Sequence, residues 1–273
     1  MPPLRLASLG NSFAAGPGIP PVSDAKAARS RANYAHLLSA RLGGASLSDL
    51  AVSGATLRNI LDEPQVVDKY TTFAPQIEGL PPDTDVVLIL GGGNDIGYIG
   101  GLFMDSFDAY WFLRVATRVY RWFRPVEPEK EPPLDAEALA TRYGEVLDAV
   151  HARAPGARVL VVEYLTVVGD HVKPGVHVPF DNDSPRRRLA HHREVAEQVR
   201  VATVKAVQGR REAEGEPSAG HGMGAERPWV SGWSWRLLFA GGVYHPNAEG
   251  MAAVAEMIHE KMLDLGIAAA DQE

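Results

Sequence analysis

Short apolar runs alternate along this chain with longer segments of helical periodicity. The runs typical of buried strands lie at residues 4–9, 47–52, 85–90 and 158–165. Helical patterns occupy residues 25–42, 134–154, 185–211 and 247–265. Apolar strands separated by helices predict an α/β fold, in which a parallel sheet is covered by helices on both faces.

Two stretches fit this alternation poorly. Residues 98–123 are rich in aromatic side chains and lead into a Pro- and Glu-rich stretch that ends at residue 133. Residues 212–224 are polar and glycine-rich, which predicts a mobile surface loop. Without an internal repeat or a clear boundary, we predict one domain over residues 1–273. Residues 98–133 are then an aromatic-rich insertion or lid candidate, or else a core helix followed by a surface loop.

Composition and charge narrow the classes of partner. The formal net charge of −7 is mild, so we expect no nucleic-acid partner. The absence of cysteine removes disulfides, thiolate nucleophiles and thiolate metal sites. No apolar run approaches the ~18 residues of a membrane span, so we expect no transmembrane segment.

The N-terminal residues run directly into the first strand, which leaves no room for a cleavable signal peptide. Together with the lack of cysteine, this predicts an intracellular, cytoplasmic protein, although a trimmed secreted chain stays open. The sequence does not indicate an oligomeric state.

Ser12 follows the first predicted strand and is flanked by Gly10 and Gly16. A serine hydroxyl is a good nucleophile only when a neighbouring base takes its proton. The glycines suit a tight strand-to-helix turn that exposes the side chain and points backbone N–H groups outward. Taken alone, the same serine is also typical of a turn or a helix cap.

Asn94 stands after three glycines at the end of the clearest predicted strand. Its amide is a candidate donor to developing negative charge, although Asn94 and Asp95 also suit a simple turn or helix cap. Gly54, just past residues 47–52, offers a further backbone N–H. Because ligand sites of such sheets form at the carboxyl ends of the strands, Ser12, Gly54 and Asn94 are expected to lie together.

His245 is the strongest candidate base among the nine histidines. It opens a loop whose Pro246 and Asn247 lead into the last predicted helix. The remaining histidines with a structural prediction lie on helical patterns, where a solvated face is expected (His36, His151, His191, His192 and His259), or in a loop, as weaker competitors for the base (His171 and His177).

Other kinds of site are not supported. Residues 10–18 lack both the Gly-Lys-Ser/Thr of a phosphate loop and the glycine spacing of a dinucleotide fold. No His-Glu-x-x-His or carboxylate-rich spacing typical of a metal site is present in the sequence. We therefore expect no cofactor and no metal.

Together, these blocks resemble the SGNH hydrolases, also called the GDSL lipase/esterase family. Ser12 matches the family's nucleophile, Gly54 and Asn94 its oxyanion-hole residues, and His245 its base. The resemblance implies a flavodoxin-like three-layer α/β/α sandwich. It also implies a carboxylic ester hydrolase, an esterase or lipase, that acts through an acyl-enzyme on Ser12 and takes a small-molecule or lipid ester as substrate.

Two residues depart from the family pattern. Asn11 replaces the usual aspartate before the serine, and Gly242 stands three residues before His245, where the triad aspartate is usual. No Asp or Glu lies between Arg236 and Glu249. We therefore predict a Ser12–His245 dyad in which the main-chain carbonyl of Gly242 orients the imidazole. An acyltransferase on the same site, or a catalytically weak binding protein, are the alternatives.

Overall fold

A parallel sheet of five strands forms the centre of the protein. The computed structural model describes residues 3–115, 134–180, 185–208, 213–214 and 219–268. In spatial order the strands are β4 (Ser46–Asp49), β1 (Arg5–Gly10), β7 (Val86–Leu90), β8 (Arg158–Val161) and β9 (Ala213–Glu214), and all neighbours run parallel. Taken in chain order, these five strands stand 2-1-3-4-5, which is the flavodoxin-like order. The predicted α/β fold with a parallel sheet is confirmed.

Helices flank the sheet in two groups. The described helices are α1 (Ser12–Ala15), α2 (Tyr34–Arg41), α3 (Leu57–Leu61), α4 (Tyr98–Asp108), α5 (Ala136–Arg153), α6 (Pro185–Val207), α7 (Trp235–Ala240) and α8 (Ala248–Asp264). Helix α2 packs against α8, whereas α5 packs against α3 and α6. Two antiparallel hairpins lie outside the sheet, β2 (Val22–Asp24) with β3 (Arg29–Ser30) and β5 (Gln65–Asp68) with β6 (Thr71–Phe73).

The central strands end at one level, and this sets the position of the turn that carries Ser12. Gly10 at the end of β1 pairs in register with Leu90 at the end of β7. A Cβ on Gly10 would lie 2.4 Å from the Leu90 carbonyl oxygen, so no other residue fits there. The buried Gln76 side chain accepts from Gly10 N at 2.8 Å and donates to Gly10 O at 2.9 Å. The end of β1 is therefore held on both sides.

The predicted helix over residues 25–42 is wrong in its first part. Helix α2 begins only after Asn33, whose side chain accepts from His36 N as an N-cap. The residues before it form the β2–β3 hairpin, where Asp24 accepts from Lys26 N at 2.9 Å. This side-chain bond offers the backbone a turn in place of a helix.

Two predicted strands are shorter than their apolar runs. Strand β4 ends at Asp49, whose side chain accepts from Ala51 N at 3.2 Å, and β8 ends at Val161. The predicted loop over residues 212–224 contributes the edge strand β9 and a 3-10 turn, Ala219–His221, followed by the buried Met223. The apolar pattern therefore locates strands better than it locates their ends.

The aromatic-rich stretch is helical where the structure describes it. Helix α4 buries Tyr98, Ile99 and Leu102 in the core, whereas Met104 is exposed. Residues 111–115 are also helical and carry the exposed Trp111. The remainder of the lid candidate, residues 116–133, lies outside the described residues. Within the described part, no helix is long and apolar enough to cross a membrane.

Candidate active site

Ser12 is the first residue of the short helix α1, at the carboxyl end of β1. Asn11 caps this helix by accepting from Phe13 N at 3.0 Å, and Gly16 closes it with a left-handed φ of 77°. Ser12 is buried apart from 5% of its surface. The turn therefore holds the serine at the sheet edge where the sequence predicts it.

Tyr164, which no sequence motif marks, supports this turn. Its hydroxyl accepts a hydrogen bond from the Asn11 side-chain amide, and its ring lies 4.4 Å from the ring of Phe13. A Cβ on Gly93 would lie 2.5 Å from the Tyr164 hydroxyl, so the tyrosine packs directly on the backbone before Asn94. Its sequence signal is weak, a single tyrosine at the end of an apolar run.

The Asn11–Tyr164 contact gives the unusual Asn11 a structural role. An amide donates through Nδ2 and accepts through Oδ1, whereas an ionised carboxylate only accepts. Asn11 uses both groups, one toward Tyr164 and one as the cap of α1. The substitution of the family's aspartate is therefore compatible with an ordered Ser12 turn.

Asn94 and Gly54 lie on two loops that are joined to each other. The Asn94 amide donates to Ala55 O at 2.8 Å, next to Gly54. The Asp95 carboxylate accepts from Leu57 N at 3.0 and 3.2 Å, and burial raises the pKa of Asp95 to about 6. One N–H of the Asn94 amide is used by Ala55, which leaves its second N–H as a donor for a ligand.

Gly54 itself is exposed and adopts a left-handed φ of 85°. This conformation is strained for residues with a side chain. Within the described residues, the backbone N–H groups of Gly54 and Ser12 have no hydrogen-bond acceptor. Both are therefore available to a bound oxyanion.

His245 lies in the loop between α7 and α8, with 7% of its surface exposed. Its Nδ1 is 2.6 Å from the carbonyl oxygen of Val243. Because a carbonyl only accepts, Nδ1 carries the proton and Nε2 keeps its lone pair. The imidazole is therefore in the tautomer that a general base needs.

The prediction that Gly242 orients His245 is wrong. The Gly242 carbonyl instead accepts from the backbone N–H of His245 at 3.3 Å. Tyr244 between them has a left-handed φ of 60°, and in this turn the carbonyl of Val243 is the one that meets Nδ1. Within the described residues, no carboxylate bonds to Nδ1.

Burial sets the electrostatics of His245. The rings of Phe13 and Phe103 lie 5.5 and 6.4 Å from the imidazole. Desolvation disfavours the charged ring and lowers the pKa of His245 to about 4, and the bond to Val243 O opposes this only in part. The ring is therefore neutral at neutral pH.

The structure brings the serine and histidine loops together without a direct hydrogen bond. A Cβ on Gly18 would lie 3.1 Å from the Gly242 backbone, so the chain after α1 packs on the loop before His245. The ring of Phe13, the neighbour of Ser12, faces the imidazole. No hydrogen bond joins Ser12 Oγ to His245 in the described part of the chain.

Two histidines predicted to be solvated are buried. His192 is 2% exposed, and its Nε2 lies 3.0 Å from Asp105 on α4. His259 is 4% exposed and accepts from Arg41 at 3.0 Å. Tertiary packing of α6 on α4 and of α8 on α2 covers these helix faces. Within the described residues, no cluster of three or more His, Asp or Glu side chains is suited to a metal.

A cavity of about 420 Å³ lies beside Tyr164. Its lining mixes apolar side chains with charged ones (Tyr98, Glu163, Tyr164, Leu165, Thr166, Val168, Arg193, Ala196, Glu197 and Arg200). The volume is within the usual range of small-molecule pockets. Tyr164 lines this cavity and also contacts Asn11, whereas Ser12, Gly54, Asn94 and His245 do not line it.

Comparisons with known proteins test the family and the fold of this chain. The sequence profile of the GDSL-like lipase/acylhydrolase family matches residues 8–253. "Lipase 2" of Streptomyces coelicolor is 32% identical over 168 residues, which is 60% of this chain and 53% of that protein. The chain thus spans about half the length of this relative.

Two solved structures share the fold over nearly their whole length. The extracellular lipase of Streptomyces rimosus has a TM-score of 0.62 at 20% identity, over 93% of this chain and 98% of its own. The phospholipase A1 of Streptomyces albidoflavus has a TM-score of 0.66 at 20% identity, over 96% and 99%. On the strength of the match over residues 8–253, this chain belongs to the GDSL-like lipase/acylhydrolase family.

Proposed function

We propose that this protein is a carboxylic ester hydrolase in which Ser12 is the nucleophile and His245 the general base. The observation that carries the proposal is the 2.6 Å contact between His245 Nδ1 and Val243 O. It presents Nε2 as an acceptor on a buried, neutral imidazole. A base of this kind suits a serine held on a neighbouring loop.

In the proposed reaction, His245 takes the Ser12 proton while Ser12 Oγ attacks the ester carbonyl carbon. The N–H groups of Ser12 and Gly54 and the amide of Asn94 stabilise the oxyanion. His245 then protonates the leaving alcohol, and water repeats the sequence to release the acid. Apart from this water and the ester, every group named in the cycle belongs to the side chains or main chain of the protein.

The absence of the triad aspartate is expected to lower the rate of catalysis without changing the tautomer of His245. In serine proteases, an amide in place of the triad aspartate costs about 10⁴-fold, which is attributed to the wrong tautomer. A carbonyl acceptor preserves the tautomer and loses only the charge that stabilises the imidazolium. We therefore expect a working but slower enzyme, because the imidazolium that forms is buried and has no carboxylate to stabilise it.

We propose that the substrate carries an apolar acyl group. We also propose that the chain forms a single domain. Phe103 on α4 places its ring beside His245, and exposed apolar side chains follow it at Met104, Trp111 and Phe112. The described part of the aromatic-rich stretch therefore lies where a wall of the acyl site is expected. An intracellular location stays a prediction from the sequence.

Labelling with a fluorophosphonate tests the proposed nucleophile. The reagent phosphonylates an activated serine, so the protein is expected to gain one phosphonyl group, which peptide mass spectrometry maps to the peptide containing Ser12. Turnover of p-nitrophenyl butyrate is expected to disappear in proportion to the labelling. Absence of labelling would favour the inactive binding protein.

Two further assays test the apolar acyl site and the acyltransferase alternative: a comparison of acyl chain lengths and the addition of alcohols. We expect p-nitrophenyl octanoate to be cleaved at least as efficiently as the acetate, and much faster acetate cleavage would contradict the apolar acyl site. Added alcohols are expected to leave free acid as the main product. Ester product that outcompetes the free acid at low alcohol concentration would instead indicate the acyltransferase.

The pH dependence of kcat/KM follows from the burial of His245. Its folded pKa of about 4 lies below the ordinary 6.5, so the ring is neutral and competent as a base down to about pH 5. We expect the acid limb of kcat/KM near pH 4.

The same depressed pKa of His245 favours the folded state above pH 6.5, and this contribution to stability is lost as the pH falls from 6.5 to about 4.

A second titrating group requires a control in this profile. Asp95, whose pKa is about 6, holds Leu57 N on the oxyanion side of the site. Asp95→Asn keeps an acceptor there without the titration, so the acid limb of the variant is expected to stay near pH 4. A limb near 6.5 in both proteins would show that His245 is hydrated, against its burial.

A further inference from the structure

The hydrogen bond that orients His245 is local and depends on one backbone conformation. Its acceptor, the Val243 carbonyl, lies only two residues before the histidine. The dihedral angles of Tyr244 therefore decide whether this carbonyl meets Nδ1. Tyr244 has a φ of 60°, in the left-handed region that bulky residues with a Cβ avoid. Something in the tertiary structure has to hold it there.

The main chain of Tyr244 is fixed from one side by Ser231. Tyr244 N donates to Ser231 O at 3.0 Å, and Ser231 N donates to His245 O at 2.9 Å. The adjacent residues Val230 and Pro246 form an isolated antiparallel bridge. This pairing fixes one edge of the loop but leaves the side chain to be held by other groups.

The side chain of Tyr244 is fixed from the other side by α4. It is fully buried, and its hydroxyl lies 2.5 Å from Ser106 Oγ. Ser106 Oγ donates its own hydrogen to Leu102 O at 2.7 Å, so the Tyr244 hydroxyl is the donor of the pair. The ring also packs edge-on against Phe103 at 5.6 Å.

Helix α4 connects this anchor to the oxyanion side of the site. Its first residue, Tyr98, donates through its backbone N–H to Gly93 O at 2.9 Å, directly before Asn94. Ser106 lies at the other end of the same helix. The helix thus joins the loop of Asn94 to the loop of His245.

We infer that the Tyr244–Ser106 hydrogen bond positions His245 in place of the absent triad acid, by holding the Val243 carbonyl against Nδ1. This inference rests on the proposed function of Ser12 and His245. Neither hydroxyl touches the reacting atoms, so Tyr244 and Ser106 are positioning residues. An acidic partner would hold the ring through its own side chain, whereas here the shape of the loop does so.

Removing either hydroxyl tests the inference. Tyr244→Phe and Ser106→Ala each delete one partner of the bond and keep the packing of the loop or of α4. We expect kcat for p-nitrophenyl butyrate to fall about 10- to 100-fold in each variant, with KM nearly unchanged, because misplacement of a catalytic group acts on the chemical step. The double variant is expected to lose little more than either single one.

A spectroscopic readout separates positioning from general loosening. A histidine Nδ1 proton held in a short hydrogen bond gives a strongly downfield proton resonance, which is expected in the parent protein and lost in both variants. Thr203→Val is the matched control, because Thr203 Oγ1 donates to Val199 O at 2.9 Å inside α6, as Ser106 does inside α4. The control should keep kcat and the resonance.

The outcomes separate this inference from the proposed function. If the parent is labelled by a fluorophosphonate and both variants keep its kcat, the inference is overturned and the function stands. If the parent is not labelled, the function itself fails. Should Tyr244→Phe not fold, Ser106→Ala decides alone. Additive losses in the double variant would also overturn the inference.

Discussion

Replacing Ser12 with alanine is expected to lower kcat for ester hydrolysis by about 10³-fold or more, toward the ~10⁶-fold loss of a serine protease without its nucleophile. The reason is chemical rather than structural, since the acyl-enzyme cannot form without Oγ. Ser12 lies at the start of α1, where Asn11 provides the cap, so alanine should leave the turn intact. Hydrolysis of p-nitrophenyl butyrate measures the effect.

A buried serine on the same strand supplies the control. Ser8 lies on β1, four residues before Ser12, and is fully buried. Ser8→Ala is expected to keep turnover within a few-fold of the parent, and thermal unfolding should report similar stability for both variants. Retention of more than a tenth of the activity in Ser12→Ala would contradict Ser12 as the nucleophile.

Replacing His245 with alanine is expected to reduce kcat by a comparable factor, about 10³-fold or more, because base and nucleophile act as one unit. The double variant Ser12→Ala/His245→Ala should therefore be hardly slower than either single variant. The loss should fall mainly on kcat, since His245 is 7% exposed and contributes little surface for binding the substrate.

The matched control for His245 is another buried histidine. His259 on α8 is 4% exposed and accepts a hydrogen bond from Arg41 at 3.0 Å. His259→Gln keeps an acceptor for Arg41 and is expected to leave kcat unchanged. If this variant loses activity as His245→Ala does, the base lies elsewhere or both losses come from unfolding.

The absence of a carboxylate at His245 also avoids the free-energy cost of burying a charge. A buried Asp would itself need charged or hydrogen-bonding partners, because an isolated carboxylate in an apolar environment is costly. Here the imidazole is bordered by Phe13 and Phe103, and its Nδ1 partner is a neutral carbonyl. These surroundings therefore keep the imidazole neutral in the resting protein.

The apolar pattern predicted most of the sheet and the three long helices α5, α6 and α8, but it failed before α2. Strand β7 is buried at every position, so its uniform apolar run identifies it unambiguously. The first part of the predicted helix over residues 25–42 is a hairpin, because Asp24 binds nearby backbone N–H groups. Such side-chain competition with the helix depends on local geometry that periodicity does not register.

The residues that support the site could not be predicted from the sequence, for a related reason. Tyr164, Gln76 and Ser106 contact groups that lie far from them along the chain, namely Asn11, Gly10 and Tyr244. Each is an ordinary polar residue whose role comes entirely from its partner. Only their hydrogen bonds in the folded chain distinguish them from other polar residues.

By itself, the sequence determined the parallel α/β sheet and the candidate positions Ser12, Asn94 and His245, because strand burial and motif order are written along the chain. The tertiary structure decided which group meets His245 Nδ1. The sequence pointed to Gly242, whereas the fold presents the carbonyl of Val243. The physical reason is the left-handed turn at Tyr244, whose side chain is held by Ser106 from a helix more than a hundred residues earlier. A choice between adjacent carbonyls depends on the backbone conformation of one residue, and contacts remote in sequence set that conformation.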